Sequence, residues 1–577
     1  MISPERASDL RVRAHRMLAG SWREGHVADG TPYGFTCPSP FRYRHQWYWD
    51  SCFHAIVWRH LDPRRAREEL RTLLRAGRLD GFIPHTAFWH EAPGWRRAPF
   101  YAMHPSRGDL GTAHIQTPMI ALAWEAVAQA SADEPGFATE SLDALRLHYD
   151  WLAEHRDPDG DGLISIIHPD ESGLDDSPKY DGVFGWMSHY LPGYFWLVER
   201  SRRLGYDSRT IIERYDEHIE DVLVNVMYGL SLASLSRLLG EDGDGEYARR
   251  AERVTESLLE RCWDERRGLF WDLAGRAQQP IRISTWSSLA PLALPGLPDE
   301  VGRRLVEEHL LDPGRYHAPV GVPSVAMDEP SFQPGFHLFR CWRGPSWINV
   351  AWLLVPPIRR LGYEDEAARI VDSLVGAVER HGFREYYNPL DGDGLAARRF
   401  GWSTLLVDLL AGAPGTNGGA EGASYRPPDL PSVDERTTDI AVPAEQVWDA
   451  LVATLPAALG VRGSARVARV LGSDTHELTG ESAKPGSTLP GFEVLHARPP
   501  SLLVLTGQHH FARYELVFRI EAVGQARTRL NASTLAHFPR AHGRAWHLLF
   551  VRSGGYGAAV GTLLGAVRRR AEREFSG

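Results

Sequence analysis

The chain has 577 residues, of which 43% are hydrophobic and 24% are charged. This is the composition of an ordinary globular protein, and the length allows two or more domains. The net charge of −10 disfavours nucleic acid as a partner.

The chain contains four cysteines, whose spacing fits neither a metal site nor a disulfide framework: Cys37, Cys52, Cys262 and Cys341. Reduced thiols in the cytoplasm are therefore expected. The N-terminus lacks the apolar region of a secretion signal, and no run of eighteen apolar residues occurs. We expect neither a signal peptide nor association with a membrane.

In chain order, the first 410 residues are predicted to be helical. The periodic segments are residues 4–24, 62–78, 115–124, 140–156, 191–204, 217–239, 246–262, 300–311, 346–361, 364–381 and 401–410. Apolar helices alternate with charged ones, as in 346–361 followed by 364–381. This alternation predicts a double ring of helices, with an inner ring buried on both sides and an amphipathic outer ring.

An aromatic cluster at residues 41–56 runs into one of these helices and contains Asp50 between tryptophans. An acidic residue in such a place is either exposed or has a specific partner. Two interpretations are open, a helix N-cap and an acceptor for a sugar hydroxyl. Because Trp47 and Trp49 flank Asp50, the acceptor is favoured. Gln116 lies just before another helix, so its amide is free to point out of the helix end.

Residues 157–162 resemble the start of a calcium-binding loop. The twelfth position of such a loop would be His168, where a bidentate glutamate is expected. A tight turn after a helix is the better interpretation. We predict no required metal and no cofactor.

The segment at residues 171–181 places four carboxylates in eleven residues, between an apolar run at 163–167 and aromatic residues at 184–186. That setting is typical of the floor of a polar cleft. About two hundred residues later, Glu385 lies among Phe383, Tyr386 and Tyr387. Asp175 and Glu385 together indicate paired carboxylates that face one substrate, as in glycoside hydrolysis.

The two carboxyl groups are predicted to differ in ionisation. Like charge from Glu171, Asp176 and Asp181, together with the following aromatics, would raise the pKa of Asp175 and make it the acid. Arg384 and the neighbouring tyrosines would favour the ionised form of Glu385 and make it the base.

Residues 411–432 are rich in Gly, Ala and Pro and are predicted to be a linker between a domain at 1–410 and a domain at 433–577. Beyond the linker, strands are predicted at 437–442, 467–471, 501–506, 514–522 and 528–535, and helices at 443–455 and 543–574. This pattern predicts a smaller α+β domain, with one curved antiparallel sheet around a C-terminal helix.

Five motifs in the first domain resemble glycoside hydrolase family 63, in particular its mannosylglycerate and glucosylglycerate hydrolase branch. They are residues 41–53, 116–118, 171–181, 341–347 and 383–389. The resemblance implies an all-α (α/α)6 barrel and an inverting mechanism, with Asp175 as general acid and Glu385 as general base. It also implies a sugar subsite formed by Tyr43, Trp47, Trp49, Asp50, Gln116, Trp342, Arg343 and Trp347.

The chain departs from that family at several positions. Asp176, Lys179 and Tyr180 stand where the family has Asn, Arg and Trp. Between residues 181 and 217 the lid that grips glycerate has no match. The resemblance therefore predicts the reaction of this protein better than it predicts the substrate.

The segment at 442–448 resembles the opening of the polyketide cyclase/START-like (SRPBCC) superfamily. The resemblance implies a helix-grip fold, with a cavity for a hydrophobic small-molecule ligand under its last helix. His509 and His510 are candidate metal ligands, although such a pair is more often part of a strand surface.

The sequence thus predicts an inverting α-glycosidase that acts on a small α-glucoside or α-mannoside. A sugar epimerase on the same barrel is one alternative, since a fold does not define a reaction. A small-molecule binding or sensing protein, whose active module is the C-terminal domain, is another.

Overall fold

The computed structural model describes residues 2–89, 111–185, 192–240, 245–337, 340–411, 432–459, 483, 487–509, 512–524, 527–537 and 555–575. The chain divides into two compact units, Met1–Gly418 and Gly419–Gly577.

The first unit is built mainly from helices. In chain order these are α1 (Pro4–Ser21), α2 (Tyr48–Trp58), α3 (Pro63–Arg75), α4 (Ile120–Gln129), α5 (Leu142–Arg156), α6 (Pro192–Arg203), α7 (Ser208–Arg214), α8 (Val222–Leu239), α9 (Glu246–Ser257), α10 (Asp299–Arg304), α11 (Ile348–Arg360), α12 (Glu364–His381) and α13 (Leu406–Ala411). Most of the predicted helices are confirmed within a few residues. The first was predicted too long, because residues 22–26 form a strand.

Buried and amphipathic helices alternate in this unit. All eleven residues of α2 are buried, and α4, α8 and α11 are also mostly buried. Helices α3, α9 and α12 bury one face each and pack against α2, α8 and α11, respectively. This arrangement fits an α/α barrel, in which the inner helices form the core and the outer helices face solvent.

Helix α8 is long and apolar enough to cross a membrane by length and hydropathy alone. However, 72% of it is buried among the other helices of this unit. Core helices pass the same test, so its hydropathy reflects its position in the inner ring.

Short strands connect the helices. They are β1 (Trp22–His26), β2 (Pro32–Thr36), β3 (Gln46–Trp47), β4 (Thr86–Ala87), β5 (Ser165–Ile166), β6 (Ile219–Glu220), β7 (Trp263–Asp264), β8 (Leu269–Phe270), β9 (Asp272–Ala274), β10 (Gln279–Ile281), β11 (Arg384–Tyr387) and β12 (Gly394–Arg398). Most are two or three residues long, too short to show the alternating pattern that identifies a strand in a sequence.

In its described residues, the second unit contains a six-stranded antiparallel sheet and two helices. Its elements are β13 (Ser432–Ile440), α14 (Ala444–Leu459), β14 (Thr488–Leu489), β15 (Phe492–Arg498), β16 (Leu502–His509), β17 (Ala512–Gly524), β18 (Arg527–His537) and α15 (Gly555–Phe575). The strand order is β13-β18-β17-β16-β15-β14, so the first strand pairs with the last. Both helices contribute to one apolar core with the sheet, through residues such as Leu451, Phe518 and Val567.

The sequence prediction missed β14 and β15. The strand predicted at 467–471, residue His510 and the first part of the closing helix lie outside the described residues, and so does the side chain of His509.

Candidate active site

A cavity of about 430 Å³ lies in the first unit. Nine of the ten predicted site residues line it: Tyr43, Trp47, Trp49, Asp50, Gln116, Asp175, Trp342, Trp347 and Glu385. The tenth, Arg343, does not.

The junction of β3 and α2 forms one wall of the cavity. Strand β3 pairs with β4, and the side-chain amide oxygen of Gln116 accepts a hydrogen bond from the backbone N–H of Trp49 at 2.9 Å. These contacts hold Trp47 and Trp49 where the strand turns into the helix. Gln116 therefore supports this wall, besides lining the cavity itself.

Asp50 lies in the first turn of α2, after Trp47 as the N-cap residue. Its side chain does not cap the helix, so the N-cap interpretation is wrong. Asp50 is 3% exposed, and its Oδ1 accepts no hydrogen bond from any residue that the structure describes. Burial, with the nearby carboxyl groups of Glu385 and Asp175, raises the pKa of Asp50 well above its ordinary value.

Tryptophan rings form the apolar part of the cavity. Trp342 stacks on Trp347 with ring centroids 3.8 Å apart, and Trp402 meets Trp49 edge-on at 5.2 Å. The indole N–H groups of Trp347 and Trp402 have no acceptor among the described residues. Buried donors without partners, next to flat apolar rings, suit a ligand that carries hydroxyl groups on an apolar ring.

The loop that carries Asp175 follows β5 and spans residues 169–185; we call it the catalytic loop. Gly173 is a left-handed residue (φ 73°) in this loop, and a Cβ there would collide with the ring of Trp49. The hydroxyl of Thr117 donates to the carbonyl of Ser172 at 2.7 Å. Glycine is required at position 173 because the loop backbone there lies directly against the ring of Trp49.

Glu171 is an anchor of the catalytic loop rather than a source of like charge. It is fully buried, and Arg156 binds both its oxygens at 2.7 Å. Although burial alone would raise it, the pKa of Glu171 lies below its ordinary value because of Arg156. Arg156 therefore offsets the negative charge of Glu171, and the effect of Glu171 on the pKa of Asp175 stays a prediction.

Asp181 has a similar partner. The guanidinium of Arg343 donates to both of its oxygens, at 2.6 and 2.8 Å. Arg343 thus binds the end of the catalytic loop through Asp181, which explains why its side chain does not line the cavity. The resemblance placed it at the sugar subsite, and the structure corrects this.

Asp176 connects the catalytic loop to the segment before α11. Its carboxylate accepts hydrogen bonds from the backbone N–H groups of Cys341 and Trp342, at 2.6 and 2.9 Å. Each N–H bonds to a different oxygen, so Asp176 holds the backbone beneath the Trp342 ring. Both Asp175 and Asp176 line the cavity, but the two oxygens of Asp176 already accept backbone N–H groups. The half-buried Asp175 is therefore the better candidate for the proton donor.

Glu385 lies on β11 and is buried. Tyr43 donates its hydroxyl to Oε1 at 3.0 Å, and the backbone N–H of Ala397 donates to Oε2 at 2.9 Å. The guanidinium of Arg42 is 3.8 Å from Oε2. Burial nevertheless raises the pKa of Glu385, against the effects of Ala397, Arg42 and Tyr43. A raised pKa strengthens a base as long as it stays below the working pH.

Two predicted partners of Glu385 are wrong. Arg384 donates to the carbonyls of Leu395 and Ala396 across the β11–β12 hairpin. The hydroxyl of Tyr387 donates to the carbonyl of Gly382. The cation and the phenol near the base come instead from Arg42 and Tyr43, more than 340 residues earlier.

Sequence reasoning missed several residues that line the cavity. Among them are Arg42, His114, Cys341, Tyr386 and Trp402. His114 is buried and stacks on His168 with ring centroids 4.6 Å apart. Arg42, Cys341 and Tyr386 lie inside three of the five motifs and next to residues that were predicted, so the motifs themselves were the signal that could have found them.

One acidic cluster in the described residues has the spacing of a metal site: Asp157, Asp159 and Asp161. Asp157 accepts hydrogen bonds from the N–H groups of Gly160, Asp161 and Gly162, which confirms the tight turn after α5. The absence of a required metal stays a prediction.

The cavity thus combines a proton donor candidate, a buried base and a wall of aromatic rings. Its residues come from the catalytic loop, the β3–α2 junction, the segment before α11 and β11. Two carboxyl groups on separate elements around one cavity are the arrangement that hydrolysis of a glycosidic bond requires.

Comparison with known proteins agrees with this geometry. The family model described as mannosylglycerate hydrolase MGH1-like glycoside hydrolase domain matches residues 43–403. Mannosylglycerate hydrolase of Rubrobacter radiotolerans is 31% identical over 450 residues, covering 70% of this chain and 97% of the relative. Glucosylglycerate hydrolase of Mycolicibacterium hassiacum is 27% identical over 440 residues, covering 67% and 96%, respectively.

A solved structure shows the same similarity. The family 63 mannosylglycerate hydrolase from Thermus thermophilus, in complex with Tris and D-glycerate, superposes with a TM-score of 0.61 at 29% sequence identity. The match covers 70% of this chain and 100% of that protein. The chain belongs to glycoside hydrolase family 63, with a mannosylglycerate hydrolase-like domain at residues 43–403, and is a glycoside hydrolase.

Proposed function

We propose that this enzyme hydrolyses a small α-glucoside or α-mannoside of a compact alcohol such as glycerate, with inversion at the anomeric carbon. Its relatives include hydrolases of both mannosylglycerate and glucosylglycerate. These names support a glycerate glycoside as the first substrate class to test. They leave the choice between the two sugars open.

In the proposed mechanism, Asp175 gives its proton to the glycosidic oxygen as the bond to the anomeric carbon breaks. Glu385 takes a proton from the water that attacks from the opposite face. The products are the free sugar and the alcohol. Asp50 accepts a hydrogen bond from a hydroxyl of the sugar at its buried Oδ1.

The setting of Glu385 is the observation that supports this mechanism most. Tyr43 and Ala397 each donate to one of its oxygens, so the carboxylate is oriented as an acceptor. An inverting pair needs carboxyl groups about 6.5–9.5 Å apart, with room for a water between base and sugar.

The test is a panel of α-glucosylglycerate, α-mannosylglycerate and short α-linked oligosaccharides, with release of glucose and mannose as the readout. Proton NMR of the fresh product should show the β-anomer first. Early appearance of the α-anomer would refute inversion.

Variants test the assignment of acid and base. Asp175→Asn and Glu385→Gln should each lower kcat by about 10²–10⁴-fold, with the melting temperature close to that of the parent. Asp176→Asn keeps the shape of the side chain and should cost only about tenfold, through a weakened hold on Cys341 and Trp342. A larger loss for Asp176→Asn than for Asp175→Asn would mean that Asp176 is the acid.

We also propose that the second unit is a helix-grip domain of the START-like class, with a hydrophobic small-molecule ligand. The pairing of β13 with β18 and the shared core of α14 and α15 support this proposal. A set of fatty acids and aromatic polyketides, tested for a rise in the melting temperature of the full chain, would check it. No shift with any of them would count against a ligand.

A further inference from the structure

The catalytic loop contains a buried lysine that the mechanism does not use. Lys179 is fully buried and follows Asp175 by four residues. Its ammonium lies 2.7 Å from Asp221 Oδ2, 3.1 Å from Asp272 Oδ1 and 2.8 Å from the hydroxyl of Ser287. These partners come from the start of α8, from β9 and from a short 3₁₀ helix at 286–293, so one side chain joins the loop to three separate segments.

The partners are themselves held by the backbone of the barrel. Asp221 caps α8 by accepting a hydrogen bond from the N–H of Val224 at 3.1 Å, and Tyr180 donates its hydroxyl to Asp221 at 2.6 Å. Asp272 accepts from the N–H of Val222 at 2.7 Å. The loop is therefore attached to the N-terminal end of a buried inner helix.

The buried charges of Lys179, Asp221 and Asp272 stabilise one another. Although burial alone would lower it, the two aspartates raise the pKa of Lys179 above its ordinary value. Burial and the neighbouring Asp221 raise the pKa of Asp272 to about 6, against the effect of Lys179. A buried ion pair of this kind adds little net stability, because desolvation offsets the attraction, and such pairs are retained where they define one geometry.

The side chains of Lys179, Asp221, Asp272 and Ser287 do not line the cavity, so they do not contact the substrate there. The opposite end of the loop is anchored by the buried pair of Arg156 and Glu171. Asp175 lies between the two anchors. A proton donor that is misplaced by about 1 Å loses about a hundredfold in rate, so both anchors bear directly on catalysis.

We propose that Lys179 is a positioning residue for the general acid, which it holds toward the glycosidic oxygen through its contacts with Asp221 and Asp272. This inference rests on the proposed role of Asp175. It assigns a function to one of the positions where the chain departs from its family.

The leaving group of the substrate separates this role from a structural one. An alkoxide such as that of glycerate needs a proton to depart, whereas fluoride departs with little help from an acid. A variant in which the acid is misplaced should therefore lose activity on the alkyl α-glycoside and keep it on the matching α-glycosyl fluoride.

The main variant is Lys179→Met with Asp221→Asn, because it removes a cation and an anion together and leaves the net charge of the cluster unchanged. Asp272 keeps its hydrogen bond from the backbone N–H of Val222. We expect kcat on the alkyl glycoside to fall about tenfold or more, and kcat on the fluoride to fall less than about twofold. Tyr180→Phe removes one hydrogen bond without a change in charge. It should lower kcat on the alkyl glycoside by a smaller factor and again leave kcat on the fluoride nearly unchanged. It replaces the double variant as the test if that variant does not fold.

One control accompanies these variants. Arg59→Met breaks a partly buried ion pair with Asp408, neither member of which lines the cavity. It should lower the melting temperature and change both substrates equally.

An equal loss on both substrates, or no loss on either, in the folded Lys179 and Tyr180 variants would overturn the inference. Asp175→Asn is measured in parallel. If it shows the selective loss and the Lys179 variants do not, only the positioning role fails. If Asp175→Asn also lowers both substrates equally, the assignment of the acid fails with it.

Discussion

At the scale of single residues, burial and local partners set the properties of the cavity carboxyl groups. Glu385 is 5% exposed and has three partners that favour its ionised form, yet burial raises its pKa. One buried oxygen of Asp50 has no hydrogen-bond partner among the described residues, and burial raises the pKa of Asp50 well above its ordinary value. Burial therefore outweighs the partners at Glu385, whereas at Glu171 the ion pair with Arg156 outweighs burial.

Arg42 is the cation nearest the base, and it gives a prediction on pH. Its guanidinium lowers the pKa of Glu385, so Arg42→Gln should raise that pKa and move the acidic limb of kcat/KM to higher pH. Because the Arg42 side chain is 44% exposed, we expect this shift to be small. Arg384→Gln is the control, since Arg384 donates to the backbone carbonyls of Leu395 and Ala396 and forms no ion pair with Glu385 in the described residues. A shift toward lower pH for Arg42→Gln would contradict this account.

At the scale of elements, the catalytic loop depends on one close approach to the aromatic wall. Gly173→Ala would place a Cβ against Trp49 at a left-handed φ, and should cost about 2–4 kcal/mol of stability and most of the activity. Gly182→Ala is the matched control in the same loop, because nothing lies within 4 Å of its added Cβ. Thermal unfolding and kcat measured on both variants would decide, and equal effects would refute the role of the close approach.

The turn after α5 and strand β6 give a second prediction at this scale. Burial and the charge of Asp161 raise the pKa of Glu220 from 4.5 to about 8. The folded protein then binds this proton more tightly than the unfolded chain, so the contribution of Glu220 to stability is greatest below about pH 4.5 and is lost as pH rises toward 8. Burial raises the pKa of Asp157 to about 7, which adds to the same slope.

Glu220→Gln should flatten the dependence of melting temperature on pH between about 5 and 8. Glu252→Gln, at an exposed position of α9, should leave it unchanged. The measurement is made in EDTA, because a cation bound by the acidic cluster would replace the protons. A slope as steep as that of the parent would show that Glu220 is not the group responsible. Activity retained in EDTA would support the prediction that no metal is required.

At the scale of the whole molecule, all ten predicted site residues lie in the first unit. A chain that ends at residue 411 should therefore stay folded and hydrolytic, because the apolar core of the first unit draws its residues from within that unit alone. Its kcat and melting temperature, compared with those of the full chain, test this. Insoluble or inactive protein would mean that the first unit needs the second in order to fold.

The sequence by itself determined the helical class of the first unit, the boundaries of most helices and the pair of carboxylates. Helix periodicity, turn residues and motif spacing are local properties, so a single sequence displays them. It also showed the change to an α+β pattern after the linker, although β14 and β15 were missed.

Only the tertiary structure decided which carboxylates are anchors and which face the cavity. Glu171 binds Arg156, Asp181 binds Arg343, and Asp176 binds the backbone at Cys341. Two of these three contacts join residues more than 160 positions apart, and so does the contact of Arg42 with Glu385. Such pairs are formed by the packing of distant segments and leave no local pattern, which is why the adjacent Arg384 was mistaken for the partner of the base.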